Sequence, residues 1–407
     1  MQSVTSPAMA TDGQPAEGGL RPTLVKWRNV LLAPGLLHPL AIFAASRLVV
    51  LLLFVLAANI ATSLGQDLSA GRPWPPAPAG QSPTLTALNG WDATWYTQIA
   101  QQGYGPRSSV MAFFPAFPLT VRGVAGATGW SEATAAVVTS LVFGAAATVL
   151  LWHLSHRLAG REFADRSAAL FAFFPGSFVF SMGYAESLML AAALGCLLAL
   201  VHERWILAGV CGAVATATRP NAAILVLCAA WAAAAAMRGR FRLTPVLAPV
   251  LSLAGVGAYF AFLWRRTGSL FAWFDVERNI WQESFSPGSV LTRADKAFEQ
   301  ALGQRHTFDL NFLLPTLGVV FAVVALVWLF QWKPPGILII YAVGVVGMAV
   351  GSATLGLRPR FLVTAFPLLQ AVAWKVHGTG FVVTLAASSV ILSGLVFVTV
   401  LTMFATP

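Results

Sequence analysis

Residues 39–64 read PLAIFAASRLVVLLLFVLAANIATSL, a stretch with a single charge, Arg47. Wound into a helix at ~1.5 Å per residue it reaches about 39 Å, more than the ~30 Å hydrocarbon layer of a bilayer. Comparable apolar runs recur near 133–156, 167–183, 185–201, 204–218, 220–237, 244–264, 310–331, 336–353, 361–375 and 380–403. The chain therefore reads as an all-α polytopic membrane protein with about 11 transmembrane helices. The runs are continuous rather than alternating, which excludes a transmembrane β-barrel.

Composition agrees. The 407 residues are 57% hydrophobic and 10% charged, with a mean hydropathy of +0.73. A soluble domain carries roughly 25% charged residues, so a water-soluble globule is excluded. The formal net charge of +10 sits mostly at the ends of apolar runs, so membrane topology accounts for it and no nucleic-acid partner is expected. Cys196, Cys211 and Cys228 lie inside apolar runs without CxxC spacing and read as buried apolar residues rather than a disulfide or thiolate metal site. Residues 1–20 are rich in Ser, Gly, Ala and Pro with no apolar core, so no signal peptide is read there. Residues 1–38 are expected to form a largely disordered cytoplasmic segment, and 39–403 a single transmembrane domain.

Lys and Arg in short connections set the expected orientation. Arg21, Lys26 and Arg28; Arg157, Arg161 and Arg166; Arg204; Arg238, Arg240 and Arg242; and Lys333 and Lys375 all fall on one side if 113–128 does not cross. That side is read as the cytoplasm. The segment 113–128, broken by Pro115 and Pro118, is read as re-entrant or interfacial. The outer side then receives two long loops, 65–132 and 265–309, and short turns at 183–186, 219–221 and 354–360. Long loops with their own pattern usually carry function.

The first loop contains NGWDATWYTQIAQQGY at 89–104, with polar Thr94, Thr97, Gln98, Gln101 and Gln102 on one face and Trp91, Trp95, Ile99 and Gly103 on the other. The pattern predicts an amphipathic helix suited to the headgroup layer. Asp92 is its only acid. It either serves the helix start electrostatically, with Asn89 as cap, or serves chemistry. In AFFPAFP at 112–118 aromatics alternate with prolines. This makes either the wall of a lipid groove or an interfacial aromatic belt.

Glu186, in GYAES at 183–187, opens an apolar span; Pro220 in Arg219-Pro220-Asn221 suits a first helical turn. Arg358 and Arg360 flank Pro359. Each arginine alone reads as a snorkelling side chain. Together, Arg219, Arg358 and Arg360 stand on the side that topology depletes of cations, which favours an anionic, phospholipid-like ligand matched to guanidinium geometry. His306 beside Arg305 is either a solvated loop histidine or a phosphate contact. No P-loop, HExxH or GxGxxG in a βαβ context occurs, so a conventional nucleotide site is not supported.

The ordered set WDATWYTQIAQQGY at 91–104, AFFPAFPL at 112–119, GYAES at 183–187 and RPN at 219–221, with RPRF at 358–361 as a late match, resembles the PIG-V family of mannosyltransferases. That family resembles the wider GT-C glycosyltransferases, multi-span enzymes with a catalytic acid in the first outer loop. Ala222 follows RPN where many relatives carry glycine. The resemblance implies a GT-C-like fold with outer-face interfacial helices. It also implies transfer of mannose from polyprenyl-phosphate-mannose, or alternatively of another polyprenyl-phosphate-linked sugar, to a glycolipid, lipoglycan or protein acceptor, with Asp92 at the acidic position. Arg219, Arg358, Arg360 and His306 are the expected donor-phosphate contacts. Trp91, Trp95, Tyr96, Phe113, Phe114, Tyr184, Glu186 and Asn221 are expected to line the substrate and acceptor path. No cofactor is expected; a divalent metal is an open alternative that the chemistry does not demand. The rival class is a transporter or flippase, which would place its polar groups near the midplane in two related halves. Here they crowd one face.

Overall fold

The computed structural model describes residues 34–68, 80–105, 108–238, 243–303 and 309–402. Among these, the only β feature is an isolated bridge between Phe285 and Ser352. The α-helices are α1 (Pro34–Ser63), α2 (Pro83–Leu88), α3 (Asp92–Gln102), α4 (Ala116–Thr128), α5 (Glu132–Phe173), α6 (Glu186–Val201), α7 (Trp205–Thr216) and α8 (Ile224–Met237). They continue with α9 (Leu247–Thr267), α10 (Ala272–Asn279), α11 (Ser289–Ala301), α12 (Leu310–Trp332), α13 (Gly336–Val350), α14 (Pro359–Thr364), α15 (Phe366–Lys375) and α16 (Gly378–Leu401). The all-helical membrane architecture expected from hydropathy is the one observed. Cys196 and Cys228 are buried and Cys211 is half-buried, all three unpaired.

Among the described residues six helices are long and apolar enough to cross a bilayer: Gly35–Ser63, Glu132–Phe173, Pro220–Met237, Thr244–Thr267, Leu310–Trp332 and Gly378–Leu401. The bent pair Pro175–Ser181 and Glu186–Val201 makes a seventh, and apolar α7 and α13 are shorter. The difference from eleven apolar runs lies in helix breaks. The run at 167–183 is divided between the end of α5 and a 3-10 helix at Pro175–Ser181, and that at 361–375 between α14 and α15. Segment 116–128 is thirteen residues long, about 20 Å of helix, too short to cross.

Helix α5 doubles back on itself. Ala159 and Gly160 leave helical geometry, with Gly160 at φ 81°, a conformation glycine adopts at no steric cost. The Trp152 indole N–H donates to Asp165 at 2.7 Å across thirteen residues. In an uninterrupted helix those positions would stand about 20 Å apart. The arms 132–158 and 161–173 therefore form a hairpin, and the Trp152 ring packs on Ala164 and Ala168.

The second arm ends against Arg47. This guanidinium, buried inside α1, donates through Nη1 to the Ser177 carbonyl (2.6 Å) and Ser181 hydroxyl (3.2 Å). Through Nη2 it donates to the Ala172 carbonyl (2.7 Å) and Ser177 hydroxyl (3.0 Å), and through Nε to Ser46 (3.2 Å). The acceptors are uncharged, and the cation also answers the negative end of the α5 dipole. Arg47 thus ties α1 to the bend that aims residues 183–186. Helix α6, beyond that bend, is buried along nearly its whole length, against α5 and α7.

Removing the Arg47 side chain strands several buried acceptors, each costing about 1–3 kcal/mol. Arg47→Met is expected to lower the thermal midpoint of the detergent-solubilised protein by several degrees. Arg47→Lys, with three donors, should fall between. A midpoint unchanged in Arg47→Met would show the clamp to be dispensable.

Candidate active site

Helix α3 begins under strain. Trp91, its N-terminal flanking residue, sits at φ 59°, ψ −131°, a conformation costly for a bulky side chain and typical of functional sites. Its indole donates to the Thr399 carbonyl (3.3 Å) and is buried among the spans. Asn89 is not the cap expected: its amide donates to the Leu85 and Ala133 carbonyls, and its own carbonyl accepts from Thr94. Nor does the apolar face of α3 meet lipid. Trp95 stacks on Phe113 at 5.9 Å, Tyr96 packs edge-on against Phe113 and Phe117, and all are buried. Arg122 of α4 donates to the carbonyls of Ile99 and Ala100 and so holds the C-terminal end of α3.

This arrangement presents Asp92 to Arg360. The carboxylate accepts from Nη1 of Arg360 at 2.5 Å, with the Asp92 side chain 26% exposed. The Asp92 backbone N–H donates to the Tyr184 hydroxyl (3.3 Å), and the Arg360 guanidinium lies over the rings of Tyr184 (5.7 Å) and Phe361 (4.7 Å). Arg219 also lies over Phe361, 5.8 Å from its ring centre, and its Nη1 donates to fully buried Glu186 at 2.7 Å. Two arginine–acid pairs thus share one phenyl ring. Burial works against the charge on both arginines. Burial is the largest single effect, but at Arg360 Asp92, Tyr184 and Glu186 together outweigh it, and at Arg219 Glu186, Tyr96 and Asp92 together do. Both guanidinium pKa values lie above the ordinary one.

The pairs leave polar atoms over. Nε of Arg219, Nε of Arg360, Oε2 of Glu186 and Oδ1 of Asn221 are buried without a hydrogen-bond partner among the described residues. Buried polar groups are normally satisfied, so four at one place mark where a polar ligand or water fits. Arg358 is also buried; its Nε donates to the Leu355 carbonyl (3.0 Å), and burial, helped by Arg360, brings its pKa down to about 10.

Glycines seat the arginine segment. A methyl group on Gly318 of α12 would overlap the carbonyl of Leu357, and one on Gly176 the carbonyl of Pro359. Backbone therefore meets backbone on both sides of Arg358-Pro359-Arg360. Glu283 fixes the preceding turn by accepting from the hydroxyls of Ser352 and Thr354 and the N–H groups of Ala353 and Thr354. Trp273 in helix α10 and Trp281 just past its end stand four residues either side of Glu277. Their indoles donate to the carbonyls of Ala112 (3.3 Å) and Ser109 (3.2 Å). Glu277 is pushed up to about 7 by burial first, then by Glu283 and Asp92.

A family model described as Mannosyltransferase (PIG-V) matches residues 38–241, half of the chain. The chain belongs to that family. The match contains Asp92, Glu186 and Arg219 but ends before Arg360, so the ion pair joins the matched half to the unmatched one. No curated protein matches. Among solved structures the chain is similar to "Crystal Structure of ArnT from Cupriavidus metallidurans bound to Undecaprenyl phosphate", at 15% identity and TM-score 0.46 over 84% of this chain and 63% of that one. It is also similar to the Archaeoglobus fulgidus oligosaccharyltransferase tethered with an acceptor peptide, at 11% and 0.43 over 88% and 56%. The chain spans less than two thirds of the length of either.

Of the residues singled out in the family motifs, Asp92, Tyr184, Glu186, Arg219 and Arg360 come together. Trp95, Tyr96 and Phe113 form the wall beside them. Phe114 turns to Tyr259 (4.7 Å) and Trp273, and Trp91 to the span core. His306 lies outside the described residues. Glu277, Glu283, Gly176 and Gly318 were not read from the sequence: nothing local distinguishes them from an ordinary loop acid or helix glycine. Among the described residues no group of three or more His, Cys, Asp or Glu side chains is placed to share a metal ion.

If the glycine seats hold Arg360 on Asp92, Gly176→Ala and Gly318→Ala should each destabilise the protein by about 1–3 kcal/mol or more through overpacking. Gly347→Ala, where a methyl group meets nothing, should be neutral or better in thermal-shift measurements. Equal midpoints for all three would refute the seating.

Proposed function

We propose that this chain is a membrane mannosyltransferase that moves mannose from polyprenyl-phosphate-mannose to a hydroxyl group of a glycolipid, lipoglycan or protein, at the outer face of the cell membrane and with inversion. The observation that carries the reading is the paired arrangement of Asp92–Arg360 and Glu186–Arg219 with donors left over, in a chain of the PIG-V family.

Asp92 is the base. The acceptor oxygen attacks the anomeric carbon, and its proton passes to the Asp92 carboxylate. The carbon–oxygen bond to phosphate breaks, and its electron pair stays on the phosphate. The leaving group is already anionic and departs without the general acid that a glycosidase needs. It gains a further negative charge as it leaves. Arg219, Arg358 and Arg360 against Asp92 and Glu186 leave one formal positive charge at the site, which suits a phosphodiester donor. The guanidinium N–H groups left unpaired at Arg219 and Arg360 then answer the charge developed in the transition state. Tyr184 and Phe361 hold the guanidinium planes by cation–π contact, and Trp95 and Phe113 offer an apolar wall to sugar or lipid.

The sidedness has its own support. Segments assigned to the outer side, in the first loop, the second loop and the turns at 183–186, 219–221 and 354–360, converge on one place. Segments assigned to the cytoplasm meet elsewhere, where His38 at the start of α1 lies 3.3 Å from Asp165 near the α5 turn. An enzyme facing outward meets no cytoplasmic nucleotide sugar, so a lipid-borne donor is the fitting one.

Asp92→Asn keeps the size and removes the basicity. It is expected to abolish transfer, measured by mass spectrometry of the mannosylated acceptor, while donor binding survives. Arg219→Ala should weaken apparent donor affinity about ten- to a hundredfold, the loss of one charge-assisted contact. Near wild-type turnover in Asp92→Asn would return Asp92 to a helix-end role.

Glu277 supplies a pH test. With a value of about 7 it is neutral below and ionised above, and ionisation adds a negative charge beside the incoming phosphate. The donor KM should rise a few-fold between pH 6 and 8.5. Glu277→Gln should remove that rise, and an identical pH profile in the variant would separate Glu277 from the site.

A further inference from the structure

A cationic cavity has a lining that shares no residue with the two arginine–acid pairs. It measures about 380 Å³, is open on one side and is bounded by α11, the first turn of α12 and the turn at Ala353–Thr354. Its lining includes Ser289, Thr292, Arg293, Lys296, Asn311 and Thr354, and among the described residues the only ionisable groups on its wall are the two cations.

Two acids near the cavity, Glu283 and Asp309, are already engaged. Glu283 is taken up by Ser352, Ala353 and Thr354, and Asp309 caps α12 by accepting from the N–H and side-chain amide of Asn311 at 2.8 Å. No acid lies within 4.0 Å of the Lys296 ammonium among the described residues; it rests 4.9 Å from the Phe312 ring centre. Arg293 spends one N–H of each terminal nitrogen on the carbonyls of Ala353 (2.9 Å) and Ser352 (3.1 Å). A terminal guanidinium nitrogen carries two N–H groups, so a second remains on each.

Helix α11 turns these groups toward the cavity and a different face outward. Ser289, Arg293 and Lys296 recur at helical spacing. Leu291 and Phe298, each two residues and so about 200° away from one of them, are 73% and 63% exposed. The cavity wall includes Asn311 and Phe312, in the first turn of a helix long enough to span the membrane. A helix with an apolar outer face at that level lies in the membrane interface, and a basic pocket there fits a lipid head group.

We propose that this cavity binds the phosphate of an anionic phospholipid head group, with Lys296 and Arg293 as its charged contacts. The turn that forms one wall continues into Arg358-Pro359-Arg360, so the lipid seats beside the segment that holds Arg360. The assignment stands independently of the transfer reaction, because it is tested by binding alone.

The purified full-length chain in detergent is titrated with phosphatidylglycerol and with phosphatidylcholine, and bound lipid is counted by native mass spectrometry. A thermal-shift arm uses millimolar inorganic phosphate. Saturable preference for phosphatidylglycerol is expected, weakened at least fivefold in Lys296→Gln and in Thr292→Leu. Lys333→Gln, at the other end of α12, should match the wild type. Arg293→Ala is avoided because that side chain also holds the turn. Equal binding of the two lipids, or equal affinity in Lys296→Gln and wild type, would overturn the proposal. So would stabilisation by inorganic phosphate with no preference between lipids.

Discussion

A buried guanidinium needs an answer to its charge, and for Arg360 that answer stands 268 residues earlier in the chain, at Asp92. Taking two charges out of water costs several kcal/mol per ion and is repaid only when geometry is good and further contacts help. The fold around this pair supplies both. Trp91 accepts an unfavourable backbone conformation to start α3 in the right place, and Arg122 holds its far end. The faces of Tyr184 and Phe361 flank the guanidinium. Move α3 away from the 358–360 segment and Arg360 becomes an unpaired buried cation.

The protein uses buried arginine in two ways. Arg47 is surrounded by carbonyl and hydroxyl oxygens that occupy all three of its nitrogens, and nothing in its setting invites a ligand. Arg219 and Arg360 each face one acid and keep a buried Nε without an acceptor. The first pattern suits a structural clamp. The second suits a site whose remaining partner arrives from outside.

Much of the membrane architecture was legible because apolar length is a strong signal: Arg47 stands inside a span and Pro220 in a first helical turn, as the sequence reading put them. The charges that form the site were also legible, since Asp92, Glu186, Arg219, Arg358 and Arg360 stand out against apolar surroundings. Their pairing was not, because a contact across 268 positions leaves no local trace. The tryptophan face of α3 was read as membrane-facing and is covered by protein instead. A hydropathy pattern reports that an apolar neighbour is needed without saying whether it is lipid or side chain. Glu277 escaped for a related reason. Its environment comes from burial and from Glu283 and Asp92, and Asp92 stands far away in the chain.

The two glycine seats have a consequence for how such a site can change over generations. Where side chains interlock, a change on one surface can be answered by a compensating change on the other. Where one backbone rests on another, no neighbouring side chain is available to shrink in reply. Side chains around the arginine segment can drift, exchange and repack while the position of Arg360 is inherited unchanged. Gly176 and Gly318 cannot take part in that drift. The accuracy of the ion pair is therefore stored in two missing side chains, and the rest of the surrounding core is left free to vary.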